Sequence, residues 1–140
     1  MRMLPAYIVI VLVLVGITFV LPELLTPPRT PPPRAAIQSL RTLHRAQVEF
    51  KAMKGRFGTL QELAVTGLAA SIYAEGIAIN RFVFSDANIS AETYCIKANR
   101  WKDSAGSRDF NVIEDGEVRY VESKTLGSVV CGQGVLLSEP

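Results

Sequence analysis

Residue types able to do chemistry are few and scattered in this chain of 140 residues. One histidine, His44, sits beside Arg45, and there are two cysteines, Cys95 and Cys131. A zinc site needs several His, Cys or carboxylate ligands at close spacing, and no second His or Cys accompanies His44. A thiol nucleophile needs surroundings that stabilise the thiolate, and nothing adjacent in sequence supplies them to either cysteine. Glu114, Asp115 and Glu117 gather three carboxylates in "EDGE". They lack the alternating oxygen ligands of a calcium loop and read as a charged hairpin tip. "GRFG", residues 55–58, is too short to cradle a phosphate. His44 reads as a solvated helix-face residue, and Trp101, between Arg100 and Lys102, as half-buried packing at a strand end in preference to an exposed contact residue. No catalytic constellation emerges. The expectation is a protein that is not an enzyme, with no cofactor and no metal.

The cysteines carry a different message. A lone, well-separated pair in a small domain reads most simply as a disulfide between Cys95 and Cys131, formed in an oxidising compartment. In the chain-entropy picture, closing such a loop stabilises by about 3 to 4 kcal/mol. Two unrelated free thiols are the competing reading. The net charge of +2 and a pI near 8.7 are too mild for a nucleic-acid-binding face.

The elements that would position these residues start with an apolar run. Met3 to Leu21 is nineteen residues without a charge, nearly enough to cross the hydrocarbon core as a helix. Pro5 fits its first turn, and "FVLPELL" has no small-residue cleavage pattern of a secretory signal. The expectation is an uncleaved single-pass anchor over residues 1–22, in a bacterial inner membrane. Orientation divides two rules. Arg29, Arg34 and Arg41 follow the run while Arg2 precedes it, which taken alone keeps the C-terminal part inside; the cysteine pair favours the periplasmic or extracellular side.

"PPRTPPP", Pro27 to Pro33, has five prolines in seven residues. With five backbone N–H groups missing it cannot continue a helix and should form a polyproline II spacer of about 20 Å within a linker over 23–34. Its P-x-x-P spacing also permits a proline-rich ligand reading. Beyond it, Ile37, Leu40, Leu43, Ala46, Phe50 and Met53 recur at threes and fours, which predicts an amphipathic helix from about Ala35 to Lys54, closed by Gly55. Thr59 and Glu62 form a capping box for a short second helix that stops at Gly67. A helical turn near Ala69 to Ala74 and a loop around Gly76 follow.

From there the period changes to that of strands. "NRFVFSDA", "ETYCIKANR", "RDFNVIE" and "EVRYVES" are short and rich in aromatic and β-branched residues, and Asp115-Gly116 is a hairpin signal. Phe82, Phe84, Tyr94, Ile96, Phe110, Val112, Val118 and Tyr120 should alternate toward the helix. The predicted fold is α+β: a transmembrane helix, a proline-rich linker, and over residues 35–140 an amphipathic helix packed on a three- to four-stranded antiparallel sheet. Cys131 would tie the Gly-rich tail to the strand holding Cys95.

This order resembles the type IV pilins and the pseudopilins of type II secretion, and in particular a group of bacterial pilin-like proteins. Their soluble domains carry "SLRTI" and "AQ" in the helix, "Y-x-x-L-x-x-L" in the turn and second helix, "G-Y-x-F" in a strand, and "F-x-x-D-x-x-G-x-I-R" in a final hairpin. The similar positions here are Ser39 to Leu43, Ala46 with Gln47, Phe57 with Leu60 and Leu63, Arg81 to Phe84, and Phe110 to Arg119. The resemblance covers Ala35 to about Ser123. It implies a pilin-like fold outside the cytoplasm, with partners in the envelope or in secretion or pilus machinery, and it leaves self-association open. Members that polymerise have a leader ending in glycine and a glutamate early in the apolar segment, and their helix runs unbroken into the domain. "MRMLPAYIVIV" shows neither residue and Pro27 to Pro33 interrupt the helix, so the expectation is an anchored domain acting through protein contacts, with an atypical minor pilin or pseudopilin subunit of a filament as the alternative and a small envelope ligand-binding domain or enzyme as a second.

Overall fold

The computed structural model describes residues 32–102 and 106–137. The expected anchor and most of the expected linker lie outside the described residues. Among the described residues no helix is long and apolar enough to cross a membrane.

Helix α1 runs over Pro32–Lys54, three residues longer at its start than the periodicity indicated. Pro32 and Pro33, expected in polyproline II, form its first turn instead. The N–H groups they lack are ones that an α-helix leaves unpaired there anyway, and the fixed φ of proline suits the helix. Ala36, Leu40, Leu43, Ala46, Gln47 and Phe50 form the buried face. Met53, expected on this stripe, is 55 % exposed. Phe50 closes the stripe one turn earlier by packing on Gly58, where an added Cβ would lie 2.8 Å from its ring. The helix ends as expected, with Lys51 and Lys54 in the last turn and Gly55, at φ +74°, donating to the Lys51 carbonyl.

The Thr59–Glu62 capping box is present and opens α2, Leu60–Val65, with Leu60 and Leu63 buried. A single 3-10 turn, Ser71–Tyr73, follows. Its Tyr73 ring meets Phe84 edge-on at 5.0 Å and its hydroxyl bonds Ser39 on α1. The strands are β1 (Phe82–Ala87), β2 (Cys95–Arg100), β3 (Arg108–Ile113), β4 (Val118–Glu122) and β5 (Val135–Leu136). They form one antiparallel sheet in sequence order. The sheet has five strands rather than three or four, because the tail returns beside β4. Two residues are too few to show a period.

Phe82, Phe84, Ile96, Ala98, Phe110, Val112 and Val118 are buried in one core with α1 and α2, and Tyr120 packs at its margin. The expected alternation fails on β3, where Asp109, Phe110, Asn111 and Val112 are all buried. The face turned away from the helix is covered by the tail. Cys95 and Cys131 are bonded, with Cα atoms 5.8 Å apart, and Asn111 clamps the same segment. Its Nδ2 donates to the Gln133 carbonyl and its Oδ1 accepts from the Gly132 N–H, both at 3.0 Å.

Two further polar side chains are committed to structure. Gln47 is fully buried and donates to the Gly58 carbonyl at 2.6 Å while accepting from the Gly58 N–H at 3.0 Å. Arg100, 5 % exposed, pairs with the fully buried Asp109 and donates to the Gly106 and Ser123 carbonyls. Its charge is both paired and hydrogen-bonded, the condition under which burial is tolerable.

Two stability measurements check this account. Gln47→Leu keeps the shape but leaves both polar atoms of Gly58 without a partner, and should lower the unfolding free energy by about 2 to 4 kcal/mol in urea titration. Cys95→Ser and Cys131→Ser should each cost about the same, and the double variant little more; clearly additive losses would contradict the bond.

Candidate interaction surface

The chemistry-bearing residues separate to two ends of the sheet. At the β3–β4 turn, His44 from α1 meets Tyr94, the residue before β2. Nδ1 and the phenol oxygen are 2.5 Å apart. The rest of the imidazole rests on the turn: a Cβ at Gly116 would come within 2.6 Å of Nε2, and Gly116 holds φ +77°. Glycine is therefore required there twice, for the turn conformation and for the space His44 occupies. His44 is partly buried and spoken for, not a solvated helix-face residue. Tyr94 has 1 % exposure and stacks edge-on against Phe57 at 4.8 Å.

Electrostatics at this end favour the uncharged ring. Burial lowers the His44 pKa below its ordinary value, Asp115 acts against that and Arg45 adds to it. Burial raises the Tyr94 pKa, assisted by the carboxylates of Asp115 and Glu114. A neutral imidazole and a neutral phenol thus share one hydrogen bond. Asp115 is held below the usual carboxylate range, chiefly by its hydrogen bonds with Arg119. Glu114, Asp115 and Glu117 are exposed at the tip, as "EDGE" suggested. Beside them Arg41, His44 and Arg45 face Glu117, Val118 and Leu137 across an open cleft of about 600 Å³.

At the opposite end, Trp101 follows β2 and is 54 % exposed. The half-buried packing expected of this residue is therefore not found, because most of its side chain is left open. Its backbone N–H donates to the Arg81 carbonyl at 2.9 Å. Arg81 belongs to a two-residue turn in which Ile79 and Phe82 exchange both backbone hydrogen bonds. Asn80 and Arg81 have φ of +49° and +71°, the left-handed pair of a type I′ turn, whose second position prefers glycine. Arginine thus occupies a site where the resembling proteins have the glycine of "G-Y-x-F". Lys102 is exposed next to Trp101.

Among the described residues no group of three or more His, Cys, Asp and Glu is placed to hold a metal ion. Sequence reasoning missed Tyr94 as a partner of His44, Asn111 as the tail clamp and the left-handed Arg81. For Arg81 a signal existed, since Asn-Arg precedes a strand where Asn-Gly would mark a hairpin. For the other two no local pattern could show a contact across the fold. No protein-family model matches the chain, and no match was found among curated proteins.

The His44 site makes stability depend on pH in a defined window. The folded imidazole resists protonation while the unfolded one takes up a proton near pH 6.5, so the unfolded state binds more protons as pH falls below that value. Stability should therefore drop from pH 7 toward pH 5, by at most about 1.4 kcal/mol per pH unit, then level off once the folded imidazole also protonates. In His44→Gln this slope should vanish from urea titrations taken across that range.

Proposed function

We propose that this protein is a single-pass membrane protein that presents a pilin-like α+β domain outside the cytoplasm and acts through protein contacts rather than chemistry. Its setting is a type II secretion or type IV pilus system, as an accessory rather than as a building block of the filament. The observation that carries this reading is the pairing of a long helix with an antiparallel meander, in the order and at the positions where the pilin-like motifs fall. Three of the motifs have structural reasons. Gln47 of "AQ" holds Gly58. Phe57, Leu60 and Leu63 seat α2 in the core. Gly116 in the final hairpin receives His44.

The candidate reactive groups have structural commitments that favour contact over catalysis. His44 is engaged with Tyr94, and the two thiols are joined to each other. The disulfide also supports an oxidising compartment, which agrees with a domain outside the cytoplasm. The accessory role rests on the sequence alone, where the prolines from Pro27 to Pro33 set the chain apart from members whose helix runs unbroken into the domain.

An intact mass of the native, membrane-extracted protein without reductant tests this reading. The expected result is a full-length chain lighter by two hydrogens. A trimmed chain methylated at its new N-terminus would make it a filament subunit instead. A full-length chain with two free thiols would overturn the extracytoplasmic placement.

A further inference from the structure

The connection from β1 to β2 carries a motif that neither the fold nor the proposed role uses. Residues 86–90 read Asp-Ala-Asn-Ile-Ser. Asn88, with Ser90 two positions on and isoleucine rather than proline between them, is the acceptor pattern for N-linked sugar, which has meaning on a surface loop of an exported protein. Of the four asparagines in the chain it is the one with a hydroxyl at that distance. Asp86 stands two positions ahead. Acid, amide and hydroxyl therefore alternate, and alternate side chains of an extended segment share one face. An enzyme that binds this segment extended reads all three together.

The folded loop supplies the rest of the context. Asn88 and Ser90 are exposed, as are Ala91, Glu92 and Thr93. Asn88 holds φ +53°, a conformation glycine adopts more readily, and its carbonyl accepts from Thr93 Oγ1 at 3.0 Å. Among the described residues no hydrogen bond engages its side-chain amide. The fold thus needs a left-handed residue at this point but has no use for the amide. Asn80 supplies the contrast: it is also exposed and left-handed, at φ +49°, but the residue two positions on is the buried Phe82. Ser90 Oγ accepts from the Glu92 and Thr93 N–H groups at 3.2 and 2.9 Å, and the Ser90 carbonyl accepts from the Phe57 N–H. These bonds form as the loop closes, so an enzyme meets the extended segment before closure. Afterwards the exposed position of Asn88 leaves room for what was attached.

We infer that Asn88 is the acceptor of an N-linked oligosaccharide. The inference rests on the placement of the domain outside the cytoplasm. The donor is an oligosaccharide carried on a lipid pyrophosphate, and the catalyst is an oligosaccharyltransferase of the same membrane. Asn88 Nδ2 attacks the anomeric carbon and a C–N bond forms. The bond from that carbon to the pyrophosphate oxygen breaks, its electron pair leaves with the lipid pyrophosphate, and one amide proton passes to a basic group of the transferase. The position also suits the sheet. β1 is a six-residue edge whose sequence, FVFSDA, has no lysine or proline to discourage a second strand, whereas the opposite edge, β5, has two residues. A bulky hydrated chain on the residue after β1 guards the longer edge.

Trypsin places the site in one peptide, Phe82 to Lys97, and Asn80 in the peptide before it. In the native, membrane-extracted protein the Phe82–Lys97 peptide should be heavier by whole sugar residues, which electron-transfer fragmentation locates on Asn88, while the Asn80 peptide should be unmodified. In the intact mass the same sugar sits on a full-length chain with Cys95 and Cys131 joined. Asn88→Asp, which keeps a residue tolerant of a left-handed φ, and Ser90→Ala should each abolish the added mass, and Ser90→Thr should retain it. The Cys95–Cys131 bond in each variant separates lost sugar from lost folding. An unmodified peptide from a chain whose thiols are joined overturns this inference and leaves the extracytoplasmic placement standing. An unmodified peptide from a chain with free thiols overturns both. Added mass that survives Asn88→Asp lies on another residue and overturns the assignment.

Discussion

An antiparallel sheet of five short strands has two faces, and neither can be left to water when both carry side chains that need cover. In this domain the two faces are covered by opposite kinds of interaction. On one, α1 lays Leu40, Leu43, Ala46 and Phe50 over Phe82, Phe84, Ile96, Phe110 and Val112, a contact driven by apolar burial and tolerant of small shifts. On the other, the tail is held by a covalent bond from Cys95 and by two directional hydrogen bonds from Asn111. Placement of everything else follows. The helix positions His44 over the β3–β4 turn, and the tail brings β5 to the edge of β4.

Gln47 links the helix to the segment that α2 needs as its start. By bonding both backbone groups of Gly58, it sets Thr59 where its hydroxyl can cap α2. A polar residue at the centre of an otherwise apolar stripe is costly unless satisfied. Here full satisfaction turns that cost into register: an apolar side chain would fill the volume but would not specify which backbone unit lies opposite.

Much of this could be read from the chain. The period of α1, its glycine stop, the Thr59–Glu62 cap and the Asp115-Gly116 hairpin are local signals, and local physics decides them. The start of α1 was misplaced because proline opposes a helix in its interior and suits one in its first turn, a distinction that depends on where the helix begins. β5 escaped notice because two residues carry no period. On β3 the alternation vanished because cover on the second face arrives from a tail some twenty residues downstream. The surface was less legible than the core. His44 looked like a solvated residue beside an arginine, and only contacts from across the fold, with Tyr94 fifty positions away and with Gly116, account for its partial burial. Trp101 could be named but not placed, since exposure at a strand end is decided by what the neighbouring turn, here Asn80-Arg81, leaves open.

The bond between Cys95 and Cys131 spans 36 positions, and the loop it closes holds β2, β3, β4 and the connections between them. A protease that cut one exposed connection in this interval would not release a fragment. The two pieces would stay covalently joined and the sheet would keep both halves of its register within reach. Such a nick is survivable. The segments before Cys95 have no such insurance, so α1, α2 and β1 must rely on non-covalent contacts for their persistence.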